Sequence, residues 1–203
     1  DHQIEFDPGI NIFIGENGTG KTHLFKVLYS ACQCVDQRVS FSHKLVSTML
    51  PDDYKISRLI TRKQGNRSAL IRIFAGERDV TQERVLSASF HGKTKKWDAE
   101  VTGEKGWDEP ESNINPSYIS IIVELLLELQ RKGVQVFVST HDYMIASYFE
   151  VRKTKNDSIA FHSLSHASKS GELIYEKKEK FADLKNNSIV SAFDKLLDEI
   201  YDL

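Results

Sequence analysis

A single stretch near the start of the chain constrains the fold more than any other part of the sequence. Its first part, Ile10–Ile14, is almost continuously apolar and β-branched, as expected of a strand buried on both faces of a parallel sheet. Its second part, Gly15–Thr22, matches the phosphate-binding loop pattern G-x-x-x-x-G-K-S/T in full. The apolar residues that follow have helical spacing, and they are Leu24, Phe25, Val27, Leu28 and Ala31. A strand, this loop and a helix in succession favour a phosphate site over a chance glycine-rich turn.

The loop contains the groups that hold the phosphates of a nucleotide. Its glycines let the backbone curl until successive N–H groups point at one anion, and the start of the following helix adds partial positive charge. Lys21 is expected to reach the β- and γ-phosphates, and the hydroxyl of Thr22 is expected to hold magnesium (Mg2+). The predicted nucleotide-binding residues are Gly15, Asn17, Gly18, Thr19, Gly20, Lys21 and Thr22. The sequence therefore predicts a site for ATP or GTP.

Composition and charge set limits on what this chain can do. A length of 203 residues is ordinary for one domain, and 40% hydrophobic with 28% charged residues is typical of a soluble globular protein. The net charge of −2 provides no general attraction to nucleic acid, so any such contact must come from a local patch. The sequence has no apolar run of membrane-spanning length and no signal peptide. We therefore expect a cytoplasmic protein with no membrane partner.

The first half of the chain is predicted to contain further strands and one more helix. Residues 1–7 alternate as a strand and Pro8-Gly9 predicts a turn, so this segment is expected to form a hairpin with the strand before the loop. Apolar residues at helical spacing predict a helix over Val39–Leu50, which a proline then ends. Between 56 and 101, segments of high β-propensity separated by turns predict an antiparallel meander; they are SRLITR, SALIRIF, RVLSASF and KWDAEV.

The predicted meander carries most of the clustered positive charge. The residues are Arg58, Arg62, Lys63, Arg67, Arg72, Lys93, Lys95 and Lys96. Two interpretations are open: a surface for nucleic acid or an acidic partner, and an ordinary solvated face of a sheet. Few aromatic residues lie among these charges, which favours the solvated face.

The second half of the chain contains long apolar segments that end in short polar ones. A helix is predicted over Ser117–Lys132 and a buried strand over Val134–Val138. His141 follows that strand closely, at the end where open α/β sheets place ligand residues. Segments 158–165 and 172–176 predict a terminal hairpin. The last predicted helix is amphipathic, and its apolar residues are Ile189, Phe193, Leu196, Leu197 and Ile200.

A pair of acids, Asp108 and Glu109, opens the sequence DEPESNINP immediately ahead of the Ser117–Lys132 helix. In a phosphate-loop ATPase, an aspartate from a second motif, separate from the loop, helps to hold magnesium. A neighbouring glutamate can polarise the attacking water. The succession of loop, acidic pair, helix, strand and His141 resembles the ATP-binding-cassette (ABC) ATPases, especially the SMC, RecF and OLD group and the bacterial "AAA family" ATPases related to them. The resemblance implies an α/β fold: a P-loop NTPase core of ABC-ATPase type with an antiparallel β-subdomain.

The resemblance also implies roles for individual residues. The phosphate loop corresponds to Walker A, and Asp108 corresponds to the magnesium-associated acid. Glu109 corresponds to the catalytic glutamate, Asn113–Pro116 to the D-loop, and His141 to the histidine that senses the γ-phosphate. The expected catalytic residues are therefore Glu109, His141 and Lys21, and the expected metal ligands are Thr22 and Asp108. The resemblance implies one domain over 1–203, with a nucleotide-binding core of 1–50 and 108–203 and a β-subdomain of 55–103.

The sequence departs from this family between Walker A and the acidic pair. A glutamine loop and an LSGG-like signature are not found, and Leu86–Ser89 is better interpreted as part of a strand. Asp108 should also end a buried apolar strand, yet Glu104 and Lys105 lie just ahead of it, and burying both without partners would cost several kcal/mol. We therefore predict that the sequence joins two pieces of a longer natural chain between Gly103 and Asp108.

These features together predict an ATPase that dimerises on ATP, or forms a higher oligomer, and drives or gates a separate effector. By the resemblance, that effector is a protein such as a nuclease, and the setting is antiviral defence or DNA maintenance. Nucleic-acid binding stays open. The alternative is a nucleotide-sensing scaffold with little or no hydrolysis, which the missing signature favours. A small-molecule kinase fits the phosphate loop alone and does not account for the D-loop and His141.

Overall fold

The computed structural model describes residues 3–34, 40–60, 68–75, 84–91, 116–167, 171–185 and 187–202. The chain divides into two compact units. The first, here called the sheet unit, comprises Asp1–Lys21 and Trp107–Leu203, and the second, here called the hairpin unit, comprises Thr22–Gly106. The expected division into a core of 1–50 and 108–203 and a β-subdomain of 55–103 stays a prediction.

The described elements are six strands, five α-helices and four short 3-10 turns. In chain order the strands are β1 Ile10–Gly15, β2 Ser68–Ala75, β3 Arg84–His91, β4 Val136–Thr140, β5 Ile159–His166 and β6 Leu173–Lys178. The helices are α1 Lys21–Gln33, α2 Phe41–Met49, α3 Ile119–Arg131, α4 Tyr143–Arg152 and α5 Ser188–Tyr201. Short 3-10 turns cover Asp52–Tyr54, Ile56–Leu59, Pro116–Tyr118 and Phe181–Asp183.

The sheet unit is built on a four-stranded sheet whose strands stand in the order β4-β1-β5-β6. β1 pairs in parallel with β4 on one edge and with β5 on the other, whereas β6 pairs antiparallel with β5. Every residue of β1 is buried. The interior position of β1 therefore explains why its sequence is almost continuously apolar instead of alternating.

One face of this sheet packs against α3, α4 and α5. Ile10, Ile12 and Ile14 alternate onto that face, because successive side chains of a strand point to opposite sides. They share one core with residues of the flanking strands and helices, among them Val123, Leu127, Val136, Val138, Ile145, Phe149, Ile159 and Phe161. In α3 the buried positions are Ile119, Val123 and Leu127, the spacing of four that keeps side chains on one face of a helix.

A buried carboxylate joins the end of α3 to the turn before β5. Arg131 donates from Nε and Nη2 to the two oxygens of Asp157, each at 2.8 Å. The backbone N–H and the hydroxyl of Thr154 also donate to Asp157, at 2.7 and 2.9 Å. The bond from Arg131 lowers the pKa of Asp157 to about 2. The pair therefore stays ionised and links two segments that are distant in sequence.

The opposite face of the sheet carries a polar network inside an aromatic cluster. His162 is fully buried, and its ring stacks on Phe13 with centroids 4.4 Å apart. Its Nδ1 lies 2.9 Å from the hydroxyl of Tyr175, and its Nε2 lies 3.0 Å from Oδ1 of Asn11. Asn11 in turn bonds the backbone N–H and carbonyl of Asp7, at 2.7 and 2.8 Å. Burial is the main cause that lowers the pKa of His162 to about 4, so the imidazole is neutral at neutral pH.

The hairpin unit has its own core. β2 and β3 form a two-stranded antiparallel sheet with a register from Ser68 opposite His91 to Ala75 opposite Arg84. Helix α2 begins after Ser40, whose side chain accepts a hydrogen bond from the backbone N–H of His43, as an N-cap does. The buried apolar residues of this unit are Ala31, Phe41, Leu45, Val46 and Ile56.

Most sequence-predicted elements in the described residues are confirmed. The helix after the loop is α1, and the helices predicted over Val39–Leu50 and Ser117–Lys132 are α2 and α3. Strands β2 and β3 contain SALIRIF and RVLSASF, so the interpretation of Leu86–Ser89 as strand is confirmed. The terminal hairpin is β5 and β6, and the last helix is α5. No helix in the described ranges is long and apolar enough to cross a membrane.

Two local predictions are wrong. Residues 3–7 form no strand, because β4 and β5 already occupy both edges of β1 and Asn11 holds the backbone of Asp7 in an irregular conformation. The start of SRLITR is a 3-10 helix over Ile56–Leu59, closed by the bond from the backbone N–H of Arg58 to the carbonyl of Lys55 at 2.8 Å. Its Ile56 is buried in the core of the hairpin unit, which holds this segment in the turn. The predicted strand KWDAEV lies outside the described residues.

The neutral state of His162 makes stability depend on pH in a defined window. The folded pKa of about 4 lies below the ordinary value of 6.5, so the unfolded chain takes up a proton first as the pH falls. We expect the free energy of unfolding to lose about 3 kcal/mol as the pH falls from about 6.5 to about 4 through this group alone. Urea unfolding followed by circular dichroism between pH 4 and 7 measures the loss. His162→Phe should remove this component, whereas replacing the exposed His23 by Gln should leave it. An unchanged pH profile in His162→Phe would assign the loss to other groups.

Candidate nucleotide-binding site

The phosphate loop connects the carboxyl end of β1 to the start of α1. Its first residue, Gly15, lies opposite Leu164 of β5, and a Cβ at Gly15 would stand only 2.1 Å from the carbonyl oxygen of Leu164. Only glycine permits this close approach of two backbones. Gly18 and Gly20 have φ of 81° and 91°, the left-handed region that side chains disfavour. The glycines of the motif therefore meet two separate requirements, space at Gly15 and backbone conformation at Gly18 and Gly20.

The ammonium group of Lys21 rests on the oxygens of its own loop. Its Nζ donates to the carbonyl oxygens of Gly15 and Glu16, at 2.7 and 2.8 Å, and lies 3.4 Å from the hydroxyl of Thr19. That hydroxyl itself donates to the carbonyl of Glu16 at 2.8 Å. Lys21 is only 5% exposed, so its ammonium group is buried beside these loop oxygens. Phosphate oxygens carry full negative charge and are stronger acceptors than carbonyls, so a nucleotide would find this cation already in place.

The start of α1 adds favourable electrostatics to the loop. The first turn of this helix contains no acidic side chain of its own beside the positive end of the helix dipole. Thr22 lies in this first turn and is partly exposed. Glu16, Asn17 and Gly18 are exposed at the tip of the loop. Backbone N–H groups, a buried ammonium and an adjacent hydroxyl are the set of groups that binds phosphates with magnesium.

His141 lies at the same edge of the sheet as the phosphate loop. β4 runs parallel to β1 with Thr140 opposite Ile14, so His141 follows the strand at the level where the loop begins. The hydroxyl of Thr140 accepts from the backbone N–H of Asp142 at 2.9 Å, and Asp142 caps α4 by accepting from the backbone N–H of Met144 at 2.6 Å. These hydrogen bonds involve the residues directly before and after His141 and so restrain its backbone. The residue itself is partly exposed. Its role at the γ-phosphate stays a prediction.

The acidic half of the predicted site lies outside the described residues. This applies to Asp108, Glu109 and residues 113–115 of the predicted D-loop, and the described chain resumes at Pro116. In the described ranges, no group of three or more His, Cys, Asp and Glu side chains could hold a metal ion. Magnesium keeps several waters and binds through few protein ligands plus phosphates, so the hydroxyl of Thr22 beside a phosphate loop fits it.

The fold and the loop together define a P-loop nucleotide-binding protein with a mixed α/β architecture. The family model for the AAA domain matches residues 1–203. The chain therefore belongs to the AAA domain family, a family of ATPases that bind nucleotide, generally with magnesium. A search of curated proteins and a search of solved structures returned no match.

Sequence reasoning missed the polar network on the far face of the sheet. Asn11, His162 and Tyr175 were assigned no role, although they bond one another beside the strand that leads into the loop. The available signal was Asn11, a polar residue inside an otherwise apolar buried strand. A buried amide must find partners, so its position alone indicates a polar neighbour across the sheet.

Replacing Lys21 by alanine should remove nucleotide binding. The change deletes the ammonium that now bonds Gly15 and Glu16 and that a phosphate would attract. We expect the Kd for Mg-ATP to rise by about two orders of magnitude, roughly 3 kcal/mol, in isothermal titration calorimetry. Lys132→Ala is the matched control, since it removes an exposed lysine at the far end of α3. Near-normal affinity in Lys21→Ala would reject the loop as the nucleotide site.

The glycines of the loop should respond differently to alanine. Gly15→Ala places a methyl group against the Leu164 carbonyl, so β5 or the loop must move. Gly18→Ala meets no atom of the described residues within 4 Å, and its positive φ costs about 1 kcal/mol. We expect urea unfolding to show the larger loss of stability for Gly15→Ala. Equal losses in the two variants would show that the close approach to β5 has no energetic weight.

Proposed function

We propose that this chain is an ABC-type ATPase that binds ATP at the phosphate loop, closes into a dimer or higher oligomer on ATP, and gates a separate effector by hydrolysis. The AAA domain family supports the ATPase activity. The observation that carries the ABC type is the meeting of the phosphate loop and His141 at one edge of the sheet, at the carboxyl ends of adjacent parallel strands. Ligand residues of open α/β sheets belong at that edge.

Each residue of the proposed site has its own role in ATP binding and hydrolysis. Lys21 neutralises charge on the β- and γ-phosphates, and the backbone N–H groups of the loop hold them in position. Magnesium, held by Thr22 and Asp108, would offset the charge that develops on the transferred phosphoryl group. Glu109 polarises the attacking water by accepting its proton. His141 contacts the γ-phosphate and so distinguishes ATP from ADP.

The topology of the sheet unit supports a further strand ahead of α3. Helices α3 and α4 cover the same face of the sheet, and α4 connects β4 to β5 on the far side of β1. Crossovers between parallel strands are right-handed in about 98% of cases. Two successive crossovers over the same face of a sheet therefore both place the next strand on the same side of the preceding strand. A parallel strand that enters α3 would therefore stand beside β4, on the side away from β1. In the described residues no strand pairs with that edge, and Ile121 and Leu125 on α3 are more than half exposed.

This arrangement would bring the acidic pair to the phosphate loop. A strand beside β4 would end at the level of Thr140, and Asp108 at its carboxyl end would face the same edge as Lys21. The edge of β4 that is unpaired among the described strands is compatible with the prediction of an additional segment between Gly103 and Asp108. Peptide mapping of the protein from its native source tests whether this additional segment exists. Extra residues between these two positions are expected, and an uninterrupted peptide across them would favour the scaffold instead.

Glu109→Gln should separate nucleotide binding from hydrolysis. The change removes the proton acceptor and leaves the phosphate loop intact, so ATP should stay bound and the assembled state should persist. We expect phosphate release to fall by two to four orders of magnitude, roughly as for loss of a general base, with a larger particle by light scattering in ATP. Glu111→Gln changes the same charge two residues further on and serves as the control. Hydrolysis at the normal rate in Glu109→Gln would exclude Glu109 as the base.

The second candidate is a nucleotide-sensing scaffold with little hydrolysis. The sequence lacks a recognisable signature and glutamine loop, and this observation favours the scaffold if no segment is missing between Gly103 and Asp108. Turnover by the purified protein separates the two functions, since the scaffold binds Mg-ATP without releasing phosphate. The effector, proposed as a nuclease in antiviral defence or DNA maintenance, rests on the family resemblance. Co-purification from the native host tests it, and isolation of the chain without any partner would count against a gated effector.

A further inference from the structure

The buried face of the sheet opposite α3–α5 connects three strands through one imidazole. His162 lies in β5, directly opposite Phe13 of β1, and the two rings stack at an interplanar angle of 10°. The two ring nitrogens reach different strands, Nε2 toward Asn11 in β1 and Nδ1 toward Tyr175 in β6. His162 therefore bonds both strands that flank its own.

The partners of Asn11 determine which nitrogen of His162 carries the proton. The amide Nδ2 of Asn11 donates to the carbonyl of Asp7, and its Oδ1 accepts from the backbone N–H of Asp7. This orientation leaves Oδ1 facing the imidazole, so Nε2 of His162 donates to it. Nδ1 is then an acceptor for the hydroxyl of Tyr175. Each polar atom in the network has a partner, and the network holds without a charge on the ring.

The cross-strand pairs of Leu164 connect this network to the phosphate loop. Two residues after His162, Leu164 pairs with Gly15 on one side and with Tyr175 on the other. The carbonyl oxygen of Leu164 approaches Gly15 so closely that no Cβ fits between them. The carbonyl of Gly15 in turn accepts from Nζ of Lys21 at 2.7 Å. The position of β5 along β1 therefore sets where the loop begins and where the ammonium rests.

We propose that His162 is a positioning residue of the phosphate loop: by bonding Asn11 and Tyr175 it holds Leu164 against Gly15, and so fixes the carbonyl on which Lys21 rests. His162 acts from the position opposite Phe13, two residues before the loop begins at Gly15. This inference rests on the proposed nucleotide binding for its consequence, a preorganised site, since a loop held in one conformation loses less entropy when it binds. Its structural part, the order of the loop, is independent of any ligand.

The test compares two substitutions at neighbouring positions of β5. His162→Phe keeps an aromatic ring to stack on Phe13 and removes both hydrogen bonds. Phe161→Leu is the matched control, because Phe161 is fully buried on the other face, in the core with α3–α5. Both variants lose stability, and only the first breaks the network. Amide hydrogen exchange of the peptide containing Gly15–Thr22, without nucleotide, reports the order of the loop.

We expect at least tenfold faster exchange of the loop peptide in His162→Phe, together with at least a tenfold higher Kd for Mg-ATP. Phe161→Leu should change both by less than twofold at a comparable loss of Tm. If the loop loosens equally in both variants, or stays unchanged in His162→Phe, the network is only a stabilising element and the proposal is wrong. If the wild-type protein binds no ATP, the proposed function is wrong. The exchange measurement on the loop peptide would still test the positioning role of His162.

Tyr175→Phe provides a milder test that leaves the fold intact. It removes the hydroxyl that bonds Nδ1 of His162 and keeps the bond to Asn11. We expect roughly threefold faster exchange of the loop peptide, a smaller effect than in His162→Phe, because one of two bonds remains. Wild-type exchange in Tyr175→Phe, if His162→Phe does not fold, would overturn the proposal.

Discussion

The position of β1 between two parallel neighbours is the constraint on which the rest of the structure depends. Both edges of this strand are hydrogen-bonded and all its residues are buried. No further strand can pair with it, and any polar group within it must be satisfied inside the protein. Because β4 and β5 run in the same direction, they bring Thr140 and Leu164 to the edge where Gly15 opens the loop. Topology thus gathers the proposed nucleotide-binding groups at one edge of the sheet.

Two polar side chains in the sheet unit, His162 and Lys21, are buried, and each bonds partners inside the protein, as a buried polar group must. His162 is buried neutral, and its two ring nitrogens have partners of opposite hydrogen-bonding character. Lys21 is buried in the loop, and its ammonium bonds the carbonyl oxygens of Gly15 and Glu16 and lies near the hydroxyl of Thr19. The first arrangement is a closed network that adds order. In the second, an arriving phosphate would offer the ammonium a charged acceptor, which bonds a cation more strongly than a carbonyl does.

The elements predicted well are those whose signal is local. Helical spacing located α2 and α3, and the strand-loop-helix order located β1 and α1, because each pattern is set by side chains within a few turns. The prediction for residues 3–7 was wrong because alternation says only that a segment could form a strand, whereas the partners of β1 decide whether it does. The start of SRLITR was similarly assigned to a strand, although it forms a 3-10 turn with the preceding Ile56, which is buried in the core of the hairpin unit.

The sequence by itself determined the phosphate loop and predicted its nucleotide chemistry, since the glycine pattern, the lysine and the hydroxyl lie within one continuous segment. It also located His141 at the end of a strand. Only the tertiary structure decided that β5 lies directly beside β1, that Leu164 meets Gly15, and that His162 bonds both neighbouring strands. The physical reason is the distance along the chain. Asn11 and His162 meet only because strands far apart in sequence pair in one register, and no local pattern encodes that register.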